Sequence, residues 1–181
     1  MKSIMETSLK RIVHLLLLAA LSILTVNAKV ISYPAPKGET LSSDYMVEVD
    51  GVSVPVYMAK TQHHDKKYSI AYFDFSGTVT VKIKSKLSLG HLNILPDKYA
   101  IHPSVNKDIA TFHLNEPCDI SFEPDGCNSP LILFCNELET DIPSKNDPNV
   151  IYFGPGEHNP ENGLIRLGSN QTLYLAGGGG S

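Results

Sequence analysis

The chain has 181 residues, of which 42% are hydrophobic and 19% charged, the balance of a globular protein rather than a disordered one. The net charge of −4 and the lack of a basic face argue against nucleic acid as a partner. With 13 Gly, 12 Pro and no Trp, the chain is expected to be rich in turns and β-strands, its bulky core supplied by Tyr and Phe.

Residues 1–28 read as a signal peptide. Lys2, Lys10 and Arg11 form a positive region, Ile12 to Val26 is an almost unbroken apolar run, and Val26-Asn27-Ala28 is a small-residue cleavage site. A run of roughly 15 residues falls short of the roughly 20 that a membrane span needs. The expected product is secreted or periplasmic, with no stable membrane span after cleavage; an uncleaved anchor is the competing reading. No Cys follows the cleavage site, which argues against a lipid-anchored product.

Val30 to Tyr33 is a short predicted strand ended by Pro34-Ala35-Pro36. Tyr45 to Val49 and Val52 to Val56 alternate apolar and polar residues around Asp50-Gly51, the strongest short-range hairpin signal. Pro55 cannot donate to a ladder and puts the second strand at an edge or at a bulge. Thr61 to Lys67 is a polar loop. Its His63-His64-Asp65 has no further ligands at a recognised spacing, so a solvated turn is preferred to a metal site.

Tyr68 to Phe75 is an aromatic-rich strand turned by Ser76-Gly77, and Val79 to Lys84 alternates as a half-solvated strand. Leu92–Leu95, Ile109–Leu114, Cys118–Glu123 and Leu131–Cys135 follow as further short strands. Such spacing between turns predicts a β-sandwich over 29–145. Asn136 to Asn149 is acidic, then polar, and reads as a linker. Cys118 and Cys127 flank Pro124-Asp125-Gly126 and are candidates to face each other across a hairpin; one optional disulfide or three buried thiols are both open.

From residue 146 onward the pattern changes. Val150–Phe153, Leu164–Leu167 and Thr172–Leu175 read as very short strands, with corners at Gly154-Pro155-Gly156 and Gly168-Ser169-Asn170-Gln171. Strands this short cannot bury a face alone and need stacked copies, as in a β-solenoid. Residues 146–181 are therefore the expected start of a parallel β-helix, truncated after its first coil, with a linker or fragment end at 177–181.

No P-loop, GxGxxG, GxSxG or HExxH motif is present. A glycosidase needs two carboxylates at a set separation. Asp74, Asp119, Glu123, Asp125, Glu157 and Glu161 are candidates, yet none brings a second acid on a defined inward position. Asp74 is better read as bonding the amides of its own turn, and Glu137, Glu139 and Asp141 as a solvated crossing segment. Glu157-His158 and Asn170-Gln171-Thr172 are explained as corner chemistry, ahead of a sugar groove and a glycosylation acceptor. His91, His102 and His113 stand singly. No catalytic, cofactor-binding or metal residue is assigned, and no cofactor is expected.

Three stretches carry a resemblance: Tyr68 to Gly77 (YSIAYFDFSG), Val150 to His158 (VIYFGPGEH) and Leu167 to Gly178 (LGSNQTLYLAGG). Through them the mature chain resembles the N-terminal region of secreted polysaccharide-degrading enzymes of the dextranase and isopullulanase family, relatives by fold of polygalacturonases. The resemblance implies an all-β chain, a β-sandwich followed by the first coil of a right-handed parallel β-helix. It also implies a polysaccharide partner for the full-length parent, with catalytic aspartates on later coils and an inactive fragment here. The alternatives are a carbohydrate-binding or adhesive sandwich, for which Tyr57, Tyr68 and Tyr99 would supply stacking faces, and a β-helix polysaccharide lyase fragment.

Overall fold

The computed structural model describes residues 28–60, 67–177 and 179–180. The signal-peptide segment and His63-His64-Asp65 lie outside the described residues, as do the side chains of Asp125 and Glu157. The chain runs through sixteen strands and two single-turn 3-10 segments, with no α-helix among the described residues.

Twelve strands build two sheets. The first holds β1 (Lys29–Ser32), β2 (Thr40–Leu41), β5 (Tyr57–Lys60), β6 (Lys67–Ser76), β8 (Asn93–Leu95), β11 (Cys118–Cys127) and β12 (Leu131–Glu137), in the order β2-β5-β6-β12-β11-β8 with β1 also on β6. Its one parallel pairing is β6 with β12. The second holds β3 (Tyr45–Val49), β4 (Val52–Val54), β7 (Val79–Ser85), β9 (Ser104–Asn106) and β10 (Ile109–Leu114), in the order β4-β3-β7-β10-β9. Alternation drives the packing. Tyr45, Val47 and Val49 on β3, Val79, Val81 and Ile83 on β7, and Ala110, Phe112 and Leu114 on β10 all turn inward. They meet Ala71, Phe73 and Phe75 of β6 and Phe122, Leu131 and Leu133 of β11 and β12 in one core.

The Asp50-Gly51 hairpin forms as expected, with both residues at positive φ (46° and 83°), the requirement of a tight two-residue turn. Pro55 does more than mark an edge. β4 ends at Val54, and the chain crosses to the opposite sheet, where Tyr57 begins β5. The missing proline N–H falls at this crossing, where no ladder bond is lost.

The expected Cys118–Cys127 hairpin is not formed. β11 runs on through Pro124-Asp125-Gly126 to Cys127, and the chain reverses at Asn128–Pro130. Pro124 is tolerated within the strand because pairing with β12 covers only Cys118 to Phe122. The residue opposite Cys118 is Cys135.

Beyond the sandwich, β13 (Val150–Phe153) pairs in parallel with β15 (Thr172–Leu175), and β14 (Gly156–Glu157) with β16 (Gly179–Gly180). Like stacks on like: Tyr152 lies under Tyr174, ring centroids 5.0 Å apart. In-register parallel stacking of short strands one coil apart is the geometry of a solenoid. Two details differ from the sequence reading. Leu164 to Leu167 is not a strand: Leu164 and Leu167 are more than half exposed, with no neighbouring strand to pair them. Thr172–Leu175 is not a further side of the first coil but the opening of the second, stacked on Val150–Phe153.

Candidate functional site

The two sandwich faces that turn away from the core differ in chemistry. On the β3–β7–β10 sheet, Lys82 pairs with Glu48 at 3.1 Å and Lys84 with Asp108 at 3.5 Å, an ordinary solvated face. On the other sheet, alternation along β6 sends Ala71, Phe73 and Phe75 into the core and Ile70, Tyr72 and Asp74 outward. Register then aligns Tyr72 with Phe134 and Asp74 with Asn136 across β12. This outward face carries aromatic rings and a carboxylate, unlike the ion-paired face of the other sheet.

There the solenoid start meets the sandwich in a cleft of about 390 Å³. Tyr33, just past β1, stacks on Tyr72 with ring centroids 5.4 Å apart and planes 19° from parallel. Tyr57, opening β5, meets Tyr72 edge-on at 6.3 Å. The Tyr33 hydroxyl donates to Asp74 Oδ2, and Asn136 Nδ2 donates to Asp74 Oδ1 at 3.3 Å. Asp74, only 7% exposed, is thus held by partners on two neighbouring segments and does not bond the amides of its own turn, as its sequence neighbours suggest. Glu137 and Glu139 lie on the rim, and Leu175 to Gly177 close the far side. Glu139 is not a free crossing residue: its Oε2 accepts from Tyr174 of the second coil at 2.5 Å, and this bond pushes the Tyr174 phenol up to about 12. Gly177 lies so close to Tyr33 that a Cβ there would stand 2.2 Å from Cε1.

Burial shifts the tyrosines of this region and of the core. Desolvation is the leading cause for Tyr33, Tyr45 and Tyr57, each raised above its ordinary value; for Tyr33 the hydrogen bond to Asp74 adds to it. The native state therefore holds these phenol protons more tightly than the unfolded chain. Their stabilisation is complete below about pH 10, the unfolded value, and is lost as the pH rises above it. The urea midpoint is expected to fall as the pH rises from about 10 to about 11, and Tyr45→Phe to flatten the fall. An unchanged slope in Tyr45→Phe contradicts the assignment.

A second cleft, of about 430 Å³, brings together His102, His113, Tyr99, Glu116 and Cys118. His113 Nδ1 lies 3.2 Å from Thr80 Oγ1. The sequence leaves these histidines isolated; β10 and the loop before β9 make them neighbours. No group of three or more His, Cys, Asp or Glu among the described residues is arranged to hold a metal. His91 is exposed elsewhere.

The other candidates disperse. Asp119, Asp141 and Glu161 are exposed, and Glu123 accepts from Ser121 Oγ at 2.7 Å. His158 donates from Nε2 to the Gly154 carbonyl at 2.6 Å and packs on Phe153, so it braces its corner. Asn170 adopts positive φ (61°), and the Gly168 amide donates to Gln171 Oε1 at 2.8 Å, again corner chemistry. Tyr57, Tyr68 and Tyr99 do not share a face: Tyr57 lines the first cleft, Tyr99 the second, and Tyr68 lies half-buried on β6. The rings that accompany Tyr57 are Tyr33 and Tyr72. The outward position of Tyr72 was readable from the alternation along β6, but no local signal marks Tyr33.

Fold and cleft together define an all-β protein in which a sandwich leads into a parallel solenoid, the two meeting at an aromatic, acid-lined cleft. Scans against protein-family models and curated proteins each find no match. Among solved structures the chain is similar to Dex49A from Penicillium minioluteum, with a TM-score of 0.55 at 16% identity over 82% of this chain and 43% of that one. The likeness is one of fold, and this chain spans less than half of that protein's length. No helix among the described residues is long and apolar enough to cross a membrane.

Proposed function

We propose that this chain is the N-terminal accessory part of an exported polysaccharide-degrading glycoside hydrolase, with the sandwich (29–145) in front of a solenoid (from 146) whose later coils carry the catalysis. The observation that carries the reading is the stacking of β15 on β13 and β16 on β14 directly behind a sandwich. Dex49A, a dextranase, supports it as a neighbour in fold, and the stretches from Tyr68, Val150 and Leu167 support it in sequence. Asp74 is held by Tyr33 and Asn136, and Glu139 by Tyr174, contacts that brace the junction between sandwich and solenoid. Purified residues 29–181 are expected to release no reducing sugar from dextran, pullulan or pectin. Measurable release would sink the claim that the catalytic groups lie elsewhere. Reading the frame past Ser181 should reveal repeated short strands with closely spaced Asp; a different domain there would count against the hydrolase.

The junction cleft favours a second reading, a non-catalytic glycan-binding module. Tyr57 and the rim carboxylates offer a ring and acceptors to sugar hydroxyls. Affinity electrophoresis in gels containing dextran separates the two readings. Retardation of the wild type that Tyr57→Ala abolishes supports the module; no retardation leaves the accessory role.

A further inference from the structure

We propose that Cys118 and Cys135 form a disulfide that ties β11 to β12, leaving Cys127 as a free thiol. The two residues are direct partners across an antiparallel ladder. Such partners have Cα atoms about 4.5–5.5 Å apart, within the roughly 4.4–6.8 Å that a disulfide spans. Both side chains point to the core, at 6% and 1% exposure, and so lie on the same face of the sheet. Their thiols already hydrogen-bond to each other. The rival pairings fail on distance. Cys127 sits at the far end of β11, exposed, and a strand rising about 3.3 Å per residue puts it roughly 25–30 Å from Cys118 and from the residue opposite.

The two sulfurs are not equally reachable. Cys118 lines the cleft of His102 and His113, whereas Cys135 lies behind it. The hydrogen bond from Cys135 favours the Cys118 thiolate, while the same bond and burial push the Cys135 thiol up. Oxidation then has a defined order, with a small disulfide of the glutathione class as the oxidant. The Cys118 thiolate attacks one of its sulfurs, forming a mixed disulfide and expelling one thiolate. Cys135 loses its proton and attacks Cys118 Sγ, expelling the second. Two protein thiols are oxidised to one disulfide, and one small disulfide is reduced to two thiols.

The test holds the full chain in a buffer of oxidised and reduced glutathione, followed by acid quench and iodoacetamide labelling under denaturing conditions. The expected product has lost the mass of two hydrogens, takes up one label before reduction and three after it, and melts several degrees higher than the reduced chain. Cys127→Ser should keep the crosslink and take no label before reduction. Cys135→Ala should lose the crosslink; if that variant fails to fold, Cys127→Ser and the wild type still decide the matter. Three labels on the oxidised wild type, or loss of the crosslink in Cys127→Ser, would overturn the proposal.

Discussion

Phe122→Ala is expected to destabilise the protein by about 3–5 kcal/mol, the range for truncating a buried aromatic ring. Phe122 is fully buried on β11, between Leu131 of β12 and Ile94 of β8. Its ring also meets Tyr45, from the opposite sheet, edge-on at 6.0 Å and 89°. That contact joins the two layers, and an aromatic pair of this geometry adds about 0.5–1.5 kcal/mol beyond its buried area. The Tyr45 hydroxyl in turn donates to the Ser129 carbonyl, in the turn between β11 and β12. Removing the ring thus opens a cavity and loosens the lever that positions this turn. A domain is stable by only about 5–15 kcal/mol, so the loss consumes a large share of the whole. Urea unfolding should show a lower midpoint with an unchanged slope. Phe122→Leu should lose much less; equal losses in the two variants would mean that the cavity is not the cause.

What could be read from the chain alone was its local pattern. Period-two alternation placed β3 and β7 almost residue for residue, and Asp50-Gly51 placed the first hairpin, because both signals lie within a few neighbouring positions. Which sheet a strand joins is not a local property. The crossings at Pro55-Val56 and Ser76-Gly77 look like any other turns, yet they send β5 and β7 to opposite layers from the strands before them. The same limit hid the partner of Cys118. Cys127 is closer in sequence, but the register of β11 on β12 sets Cys135 opposite. Leu164 to Leu167 misled in the other direction: a short, mostly apolar run between two corners suits a strand, but a strand needs a neighbour to bond, and the stacking partner of Val150–Phe153 is Thr172–Leu175. The cleft was the least legible feature. Tyr33 lies just past a four-residue strand, before a proline, and the carboxylate it bonds is 41 positions away.

That carboxylate gives the second large effect. Asp74→Ala is expected to cost about 1–3 kcal/mol, the range for stripping the partner from buried or half-buried donors. Its consequence should reach past the sandwich. Asp74 fixes the Tyr33 hydroxyl, stacking on Tyr72 fixes the ring, and the backbone at Gly177 rests against that ring. The second coil is thus seated on a side chain whose position depends on Asp74. Amide exchange should report this directly. The Ala176 N–H, bonded to the Phe153 carbonyl at 2.9 Å, should exchange faster in Asp74→Ala, while amides of β7 and β10 keep their protection apart from the global loss. Gly177→Ala should produce the same local acceleration from the other side, because its Cβ cannot share the space of the Tyr33 ring. Tyr33→Phe separates ring from hydroxyl: it keeps the stack, leaves Asp74 with Asn136 alone, and should lose about 1 kcal/mol. In a double-mutant cycle Tyr33→Phe and Asp74→Ala should be non-additive, since each removes the same bond. Additive losses, or an Ala176 exchange rate untouched by Asp74→Ala, would mean that the coil is held by its own stacking on β13 and not by the cleft.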